Sequence, residues 1–499
     1  SLRIDTQDTA RIKLTVIPGP DPEDGWWYKF GQHATRIAMS VRNFSFTYKN
    51  TYAMTLPGFR PEVGDMFGQK KHGGFLAPGM DFAFGFTGDD YIDRALQNDW
   101  LICSDSVVSP ASSNALEDLQ LRISLEPIRD LKIDLTANRT RNRSREIQYM
   151  FEGMPDTRSG NFSMSIISIG SAFERPSAGD GYHSGTFERF RRNLDVIRDR
   201  VESQFLGAQY PQGSTLAGKT FDPANGTISK HSPDVMIPAF LAAYTGKSAR
   251  NSALDFFPSL FSMMPNWRIT YTGLTKIAWF KKNFRSVNLN HAYRSTYSVG
   301  SYNTFQSFMS YMGDIGFVED VQSGNPIPSS RFDISMVSIN EQFSPLIGMD
   351  ATLKNGLTAK VEYKTSRILN LSMSACQLVE TASRDFVIGL GYKIVNFNLF
   401  SGRNVKDSKN RVSHDLALRA DISFRNQSAL CRDIQQGFAQ ATNGNKALKI
   451  SCSADYTLSR LLTLRLYYDR QQNTPLVSSS SYPVVSADFG FSMKFSLTR

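Results

Sequence analysis

Apolar and polar residues alternate with a period of two over long stretches of this chain. The clearest case runs from Ile347 to Thr365. Ile347, Met349, Ala351 and Leu353 climb one run, and Leu357, Ala359, Val361 and Tyr363 return. Asp350, Thr352, Thr358, Lys360, Glu362 and Lys364 fill the opposite register. Lys354-Asn355-Gly356 lies between the runs. Asn-Gly in that place predicts a β-hairpin closed by a type I′ turn, because both residues tolerate positive φ. Such a hairpin has one apolar face and one charged face.

The unit recurs. Leu119, Leu121, Ile123 and Leu125 lead through Glu126–Asp130 to Leu131, Ile133, Leu135 and Ala137, with Gln120, Arg122, Ser124, Lys132, Asp134 and Thr136 opposite. Phe162, Met164 and Ile166 predict another strand. Towards the C-terminus come Phe332–Ser338, Phe386–Tyr392, Leu416–Phe424, Leu448–Tyr456 with Leu462–Tyr468, and Val485–Leu497. Near the start, Ile37, Met39 and Val41 alternate, the phase slips at Arg42-Asn43, and Phe44, Phe46 and Tyr48 resume, which predicts a tight turn. Arg11–Ile17 is a further strand candidate.

About fifteen strands result, many of about 9–14 residues. Soluble strands average about five or six residues, whereas a membrane-crossing strand needs about 9–11. Length and alternation together predict an all-β fold: an antiparallel transmembrane β-barrel wall with long loops and a small helical insertion. Tyr363, Tyr392, Phe424, Tyr456 and Tyr468 fall towards strand ends, where an aromatic girdle belongs. A soluble β-sandwich binding or adhesion protein is one alternative. A self-contained porin or solute transporter is another.

Three segments follow: strands with a long Gly- and aromatic-rich loop at 50–118 (1–170), a helical and irregular insertion (171–282), and strands again (283–499). Within the insertion, Phe187, Phe190, Leu194, Ile197 and Val201 recur at helical spacing, predicting an amphipathic helix packed on the protein. Pro238–Gly246 predicts a second, short helix. The turns at Arg42-Asn43, Glu126–Asp130, Lys354–Gly356 and Ser459-Arg460 share one parity, as expected at the periplasmic end of a barrel. The insertion falls on the same parity, in conflict with that pattern.

Composition removes other classes. The 499 residues are 41% hydrophobic and 20% charged, which excludes a generally disordered chain. The net charge is +10, but Lys and Arg are scattered with no long basic run, so nucleic acid is not an expected partner. No stretch approaches the about 20 apolar residues of a membrane-crossing helix; Val235–Tyr244 is short and interrupted by Pro238. Ser1-Leu-Arg-Ile-Asp opens as though inside a domain, so a removed leader or a longer polypeptide is expected. Cys103, Cys376, Cys431 and Cys452 have no metal or disulfide spacing. The six histidines (33, 72, 183, 231, 291, 414) are isolated, and no nucleophile elbow or phosphate-binding loop occurs. Asp89-Asp90 and Glu319-Asp320 read as solvated loop charge. No enzyme activity, metal or cofactor is predicted.

Several segments go further: Met264-Pro-Asn266-Trp267-Arg-Ile-Thr-Tyr271, Trp279-Phe-Lys-Lys282 and Leu289-Asn290-His291-Ala-Tyr293-Arg294, continuing to Gly300-Ser-Tyr302. With them go Thr55-Leu56-Pro57-Gly58-Phe59, Ala77-Pro78-Gly79-Met-Asp-Phe82, Leu125-Glu-Pro127-Ile-Arg-Asp-Leu131, Ile237-Pro238-Ala-Phe-Leu-Ala-Ala-Tyr-Thr-Gly246 and Glu341-Gln-Phe-Ser-Pro-Leu-Ile-Gly348. Together they resemble, in order, the C-terminal region of the giant outer-membrane translocon of type IX secretion, the SprA/Sov family. The resemblance implies part of one very large barrel in the outer membrane of a Gram-negative cell. It also implies a channel for secreted cargo with C-terminal targeting domains. As partners it implies a small accessory barrel at a lateral opening, a periplasmic plug protein and outer-membrane lipid. It gives no role to individual signature residues. The chain is far shorter than the family's, and its last run, Phe495-Ser-Leu-Thr-Arg499, lacks the terminal aromatic usual in barrel-insertion signals.

A protein-conducting channel needs a polar, non-adhesive wall. Arg122, Lys132, Asp134, Lys360, Glu362, Lys364, Arg419, Asp421, Arg465 and Asp469 mix both signs on one register and are the expected lumen-facing residues. The wet face of any porin reads the same way.

Overall fold

The computed structural model describes residues 40–495, apart from 65–66, 89, 103–108, 149–155, 175, 396, 398–414, 459–461 and 478–481. Arg11–Ile17, Ile37, Met39, Asp89, Cys103, His33, His414, Ser459-Arg460 and the final residues to Arg499 therefore lie outside the described residues.

One 14-stranded sheet organises the chain. Its strands are β1 (Val41–Thr55), β2 (Ala111–Ile128), β3 (Leu131–Ile147), β4 (Thr157–Ser165), β5 (Asn266–Tyr271), β6 (Phe284–Thr304), β7 (Phe332–Ile334), β8 (Met336–Leu353), β9 (Leu357–Ser372), β10 (Gln377–Ile394), β11 (Leu416–Asp433), β12 (Ala439–Thr457), β13 (Leu462–Pro475) and β14 (Val484–Phe495). Every pairing in it is antiparallel, and the path runs β1-β2-β3-β4-β6-β8 and on in sequence order to β14. The fold is all-β, and several strands are longer than the sequence pattern indicates: β6 has 21 residues and β12 has 19.

Three local expectations are corrected. Arg42-Asn43 is not a turn: β1 runs through it, and the phase slip is a bulge in its pairing with β2 between Val41 and Asn43. A one-residue bulge inverts the facing pattern just as a turn does. At Lys354–Gly356, only Gly356 has positive φ (89°), and its N–H donates to Leu353 O at 3.1 Å. This is a three-residue loop ending in left-handed glycine, not a type I′ turn; Asn355 contributes its side chain, which accepts the Leu357 N–H at 3.0 Å. Short connections also occur at the other end of the sheet, at 373–376 and 434–438, so the parity of short turns does not separate the two ends.

The insertion is placed differently from the expectation of a loop at one end. β4 pairs the far half of β3 (Arg139–Glu146), and β5 pairs its near half (Leu131–Thr136). Both pair β6 in the same order. β4 and β5 are two halves of one strand, interrupted mid-wall by residues 166–265. That resolves the parity conflict, because the insertion belongs to neither end. Its range also shrinks: Asn266–Tyr271, inside the expected 171–282, is sheet.

Two helices organise the insertion, α1 (Gly185–Ser203) and α2 (Pro233–Thr245). Ser184 caps α1 by accepting the Phe187 N–H at 3.1 Å. Phe187, Phe190, Leu194, Ile197 and Val201 are all buried. α2, with Pro238 within it, is buried almost throughout. They share one core with Phe162 and Met164 of β4, Tyr297 and Val299 of β6, Val337 and Ile339 of β8, and Leu369 and Leu371 of β9. The insertion is thus docked on one face of the sheet. The expected 50–118 loop is shorter, since 50–55 belong to β1 and 111–118 to β2; around Tyr91, Ile92, Ala95 and Trp100 it forms a small second core against Ala111 and Ile147.

Candidate functional site

The sheet has two chemically different faces, and register fixes which residue is on which. Leu357, Ala359, Val361 and Tyr363 lie opposite Tyr392, Leu390, Ile388 and Phe386. These in turn oppose Leu418, Ala420, Ile422 and Phe424, then Ala454, Cys452, Ile450 and Leu448. Leu466 and Tyr468 of β13 and Phe491 and Phe489 of β14 continue the row. Towards the N-terminus it includes Leu289, Tyr271, Ile133, Leu125, Ile123, Phe44 and Phe46. The result is a continuous apolar band. Tyr363, Phe386 and Phe424 stand side by side along its upper edge, and Tyr392 and Tyr456 mark its lower edge. Above it, Thr365, Arg384, Asn426 and Lys446 form a polar row. From Leu357 to Thr365 is about 26 Å along the strand, or about 20 Å of height at a ~40° tilt. Much of the band is open, including Phe44, Phe424, Phe489 and Phe491.

The insertion docks on this same face, directly above the band. Its first stretch crosses the wall at the polar row: Ser171 O accepts Arg367 Nη1 at 2.6 Å, and Phe173 packs on Phe343 with ring centroids 5.4 Å apart. Two buried ion pairs fasten it. Arg367 Nη2 donates to Glu341 Oε2 at 2.7 Å. Glu341 Oε1 also accepts Tyr293 Oη at 2.8 Å and Ser168 Oγ at 2.7 Å. Arg432 donates to Glu380 at 3.1 and 3.2 Å and to Tyr182 O at 2.6 Å, with its guanidinium over the Phe187 ring. Burying a charge is costly unless it is paired and hydrogen-bonded; both pairs meet this through their Nη groups, and Arg367 Nε is left without an acceptor. In α2, burial raises the Asp234 carboxyl above its ordinary range, while the Ser330 amide donates to it at 3.2 Å.

All ten residues expected to line a lumen lie on the opposite face. Arg122 pairs with Thr136, and Asp134 with Arg268. Lys360, Gly389, Asp421, Ser451 and Asp469 form one row across β9–β13. Lys132, Glu362, Lys364, Arg419 and Arg465 are on the same side by strand alternation. Charges of opposite sign neutralise one another there: Glu362 lies 3.0 Å from Lys360 and 2.9 Å from Lys364, Lys132 lies 3.1 Å from Asp134, and Arg465 lies 3.6 Å from Asp455. A polar cleft of about 370 Å³, lined by Asp134, Asn266, Arg268, Arg294 and Gln342, opens on this face where the strand is interrupted.

The signature residues acquire local roles. Asn266, Trp267, Asn290, His291, Tyr293 and Arg294 surround the interruption. Trp267 stacks on Tyr293 at 4.5 Å, and Asn290 Nδ2 donates to Asp350 at 3.1 Å. His291 Nδ1 lies 2.7 Å from Leu346 O, in the stretch where the β8 register shifts. Gly300 falls at the β6 bulge that turns Tyr302 towards the insertion core, where its hydroxyl donates to Asn142 O at 3.3 Å. Pro127 sits where the β2–β3 ladder slips before its turn. Leu56, Pro57, Gly58, Pro78 and Gly79 belong to the separate small core: Gly58 O accepts the Ile102 N–H at 2.9 Å, and the Gly79 N–H donates to Gln69 at 2.7 Å. Pro238 is within α2, so the signature is spread over five places and does not form one site. Arg367, Glu380 and Arg432 are not among the residues that the sequence singles out, and Glu341 enters there only as the first residue of a resemblance segment. Their only sequence signal is a charge on an otherwise apolar register.

Among the described residues no group of three or more His, Cys, Asp and Glu side chains has metal-binding geometry, and no helix is long and apolar enough to cross a membrane. No family model and no curated protein matches the chain. Among solved structures it is similar to the β-domain of the Bordetella autotransporter BrkA (6% identity, 79% of this chain and 94% of that one, TM-score 0.22). It is also similar to OmpT, an outer-membrane protein of Vibrio cholerae in trimer form (9% identity, 78% and 93%, TM-score 0.20). Likeness at these scores adds nothing to what the strands themselves show.

Proposed function

We propose that this chain is the C-terminal part of an outer-membrane channel wall that conducts folded or folding protein in type IX secretion. The observation that carries the reading is the two-faced wall with uncovered edges. Among the described residues β1 pairs only β2, β14 pairs only β13, and nearly every residue of both is exposed. Lipid does not tolerate open sheet edges, so such a wall needs further strands to close. A larger barrel supplies such partners from strands beyond this wall, and the resemblance of the 264–302 stretch to the SprA/Sov family favours that closure over a self-contained porin.

The apolar band then meets lipid, and the charge-balanced face meets water and cargo without holding it. Apart from the mid-wall insertion, the longest connection, residues 56–110, and residues 305–331 extend from the end remote from the Lys354–Gly356 loop, which we read as extracellular. Targeting-domain cargo, a small accessory barrel and a periplasmic plug are the partners this reading entails.

Deletion of the gene, followed by mass spectrometry of medium and periplasm, tests it. Cargo with C-terminal targeting domains accumulates in the periplasm if the reading holds. Unchanged export with loss of small-solute uptake would instead favour a porin.

A further inference from the structure

The band face of β3 changes character halfway along the strand. Leu131, Ile133, Leu135 and Ala137 belong to the apolar band; the next four residues on that side are Arg139, Arg141, Arg143 and Arg145. The stripe starts where the band ends and runs between the small core around Tyr91 and the insertion. Arg145 is committed to Asp93 and Asp156, at 3.2 and 2.8 Å. Asp156 is shared with Arg158 and Arg331, and Arg331 also meets Asp314. Arg139 and Arg143 share one carboxylate, Glu117, at 3.5 and 2.8 Å. Arg141 lies over the Phe257 ring at 5.0 Å and Arg139 over Phe162 at 5.3 Å. Among the described residues, the ion pairs of this neighbourhood set six guanidiniums (139, 141, 143, 145, 158, 331) against four carboxylates (93, 117, 156, 314). The surplus lies at Arg139–Arg143, where Arg143 keeps 39% of its side chain exposed. The Nε atoms of Arg139, Arg141 and Arg143 are shielded from solvent without a hydrogen-bond acceptor.

We propose that this stripe binds the phosphate of anionic lipid headgroups in the leaflet at the extracellular edge of the band. The inference rests on the membrane reading above. Position decides the ligand class: the cations begin one row above an apolar band, at Arg139, and continue to Arg143 two rows further, spanning the depth where headgroup phosphates lie when the acyl chains cover that band. Guanidinium forks match phosphate oxygens, and Arg is less strongly hydrated than Lys. Glu117 holds Arg139 and Arg143 on one line and limits their combined charge.

Native mass spectrometry of the detergent-solubilised full chain, loaded with phosphatidylglycerol or phosphatidylcholine, tests the proposal. The wild type retains phosphatidylglycerol preferentially. Arg143→Gln lowers that retention about fivefold, the loss expected for one headgroup-contacting arginine. Glu117→Gln raises it, which a folding defect does not do, and Arg192→Gln on the exposed side of α1 leaves it unchanged. Equal retention of phosphatidylglycerol in wild type, Arg143→Gln and Glu117→Gln overturns the proposal. So does displacement of phosphatidylglycerol by millimolar inorganic phosphate, which would make the stripe a free-anion site. Indiscriminate retention of both lipids overturns this inference alone. Retention of neither, with a chain soluble without detergent, overturns the membrane reading as well.

Discussion

Asn266 closes the gap that the insertion opens in the wall by bonding to Ser295. Its Oδ1 accepts the Ser295 N–H at 2.8 Å, and its Nδ2 donates to Ser165 Oγ at 3.2 Å. The side-chain amide thereby satisfies a buried donor left by the break in the ladder, as every buried N–H requires. Asn266→Ala is expected to cost about 1–3 kcal/mol, because the Ser295 amide loses its partner. Limited proteolysis should then cut within residues 166–265 faster, while the β9–β14 wall stays resistant. Cleavage rates equal to wild type would contradict this role.

The Glu341–Arg367 pair makes an asymmetric prediction. Arg367→Ala leaves Glu341 buried without its counter-ion, a loss of about 3–5 kcal/mol. Glu341→Leu with Arg367→Met removes both charges and should recover most of that loss. Thermal denaturation in detergent distinguishes the two. A double variant as unstable as Arg367→Ala would show that the hydrogen bonds to Ser168, Ser171 and Tyr293 matter more than charge balance.

Acid should loosen the entry to α1. Burial pushes the Glu174 carboxyl up, but donation from Ser184 Oγ and Thr186 Oγ1, each at 2.5 Å, and from the Thr186 amide at 3.0 Å outweighs it. Its pKa falls below the ordinary 4.5. A depressed carboxyl stabilises the folded state fully above its unfolded pKa, and that stability is lost as pH falls through the folded value. Hydrogen exchange at α1 should therefore accelerate below about pH 4.5 in the wild type. The pH dependence should flatten in Glu174→Gln. An identical acid response in both would remove Glu174 from this role.

Much of the wall was legible because strand alternation is local. The Leu357–Tyr363 register, for example, needs only its own residues to declare two faces. Placement of the insertion was not, because β4 and β5 are half-strands about 100 residues apart whose shared line appears only through β3 and β6. Arg42-Asn43 shows a second limit, since a phase slip fits a bulge and a turn equally. Arg139–Arg145 shows a third: their register is apolar at Leu131–Ala137, so one face carries two environments along a single strand.

A photo-crosslinking amino acid placed at positions 360, 419 and 424 in cells during export reads out what each face of the wall touches. Lys360 and Arg419 belong to the polar face and Phe424 to the band. A cargo-conducting wall gives adducts with exported polypeptide from 360 and 419, and with lipid from 424. Continued export with no polypeptide adduct at 360 or 419 would contradict it.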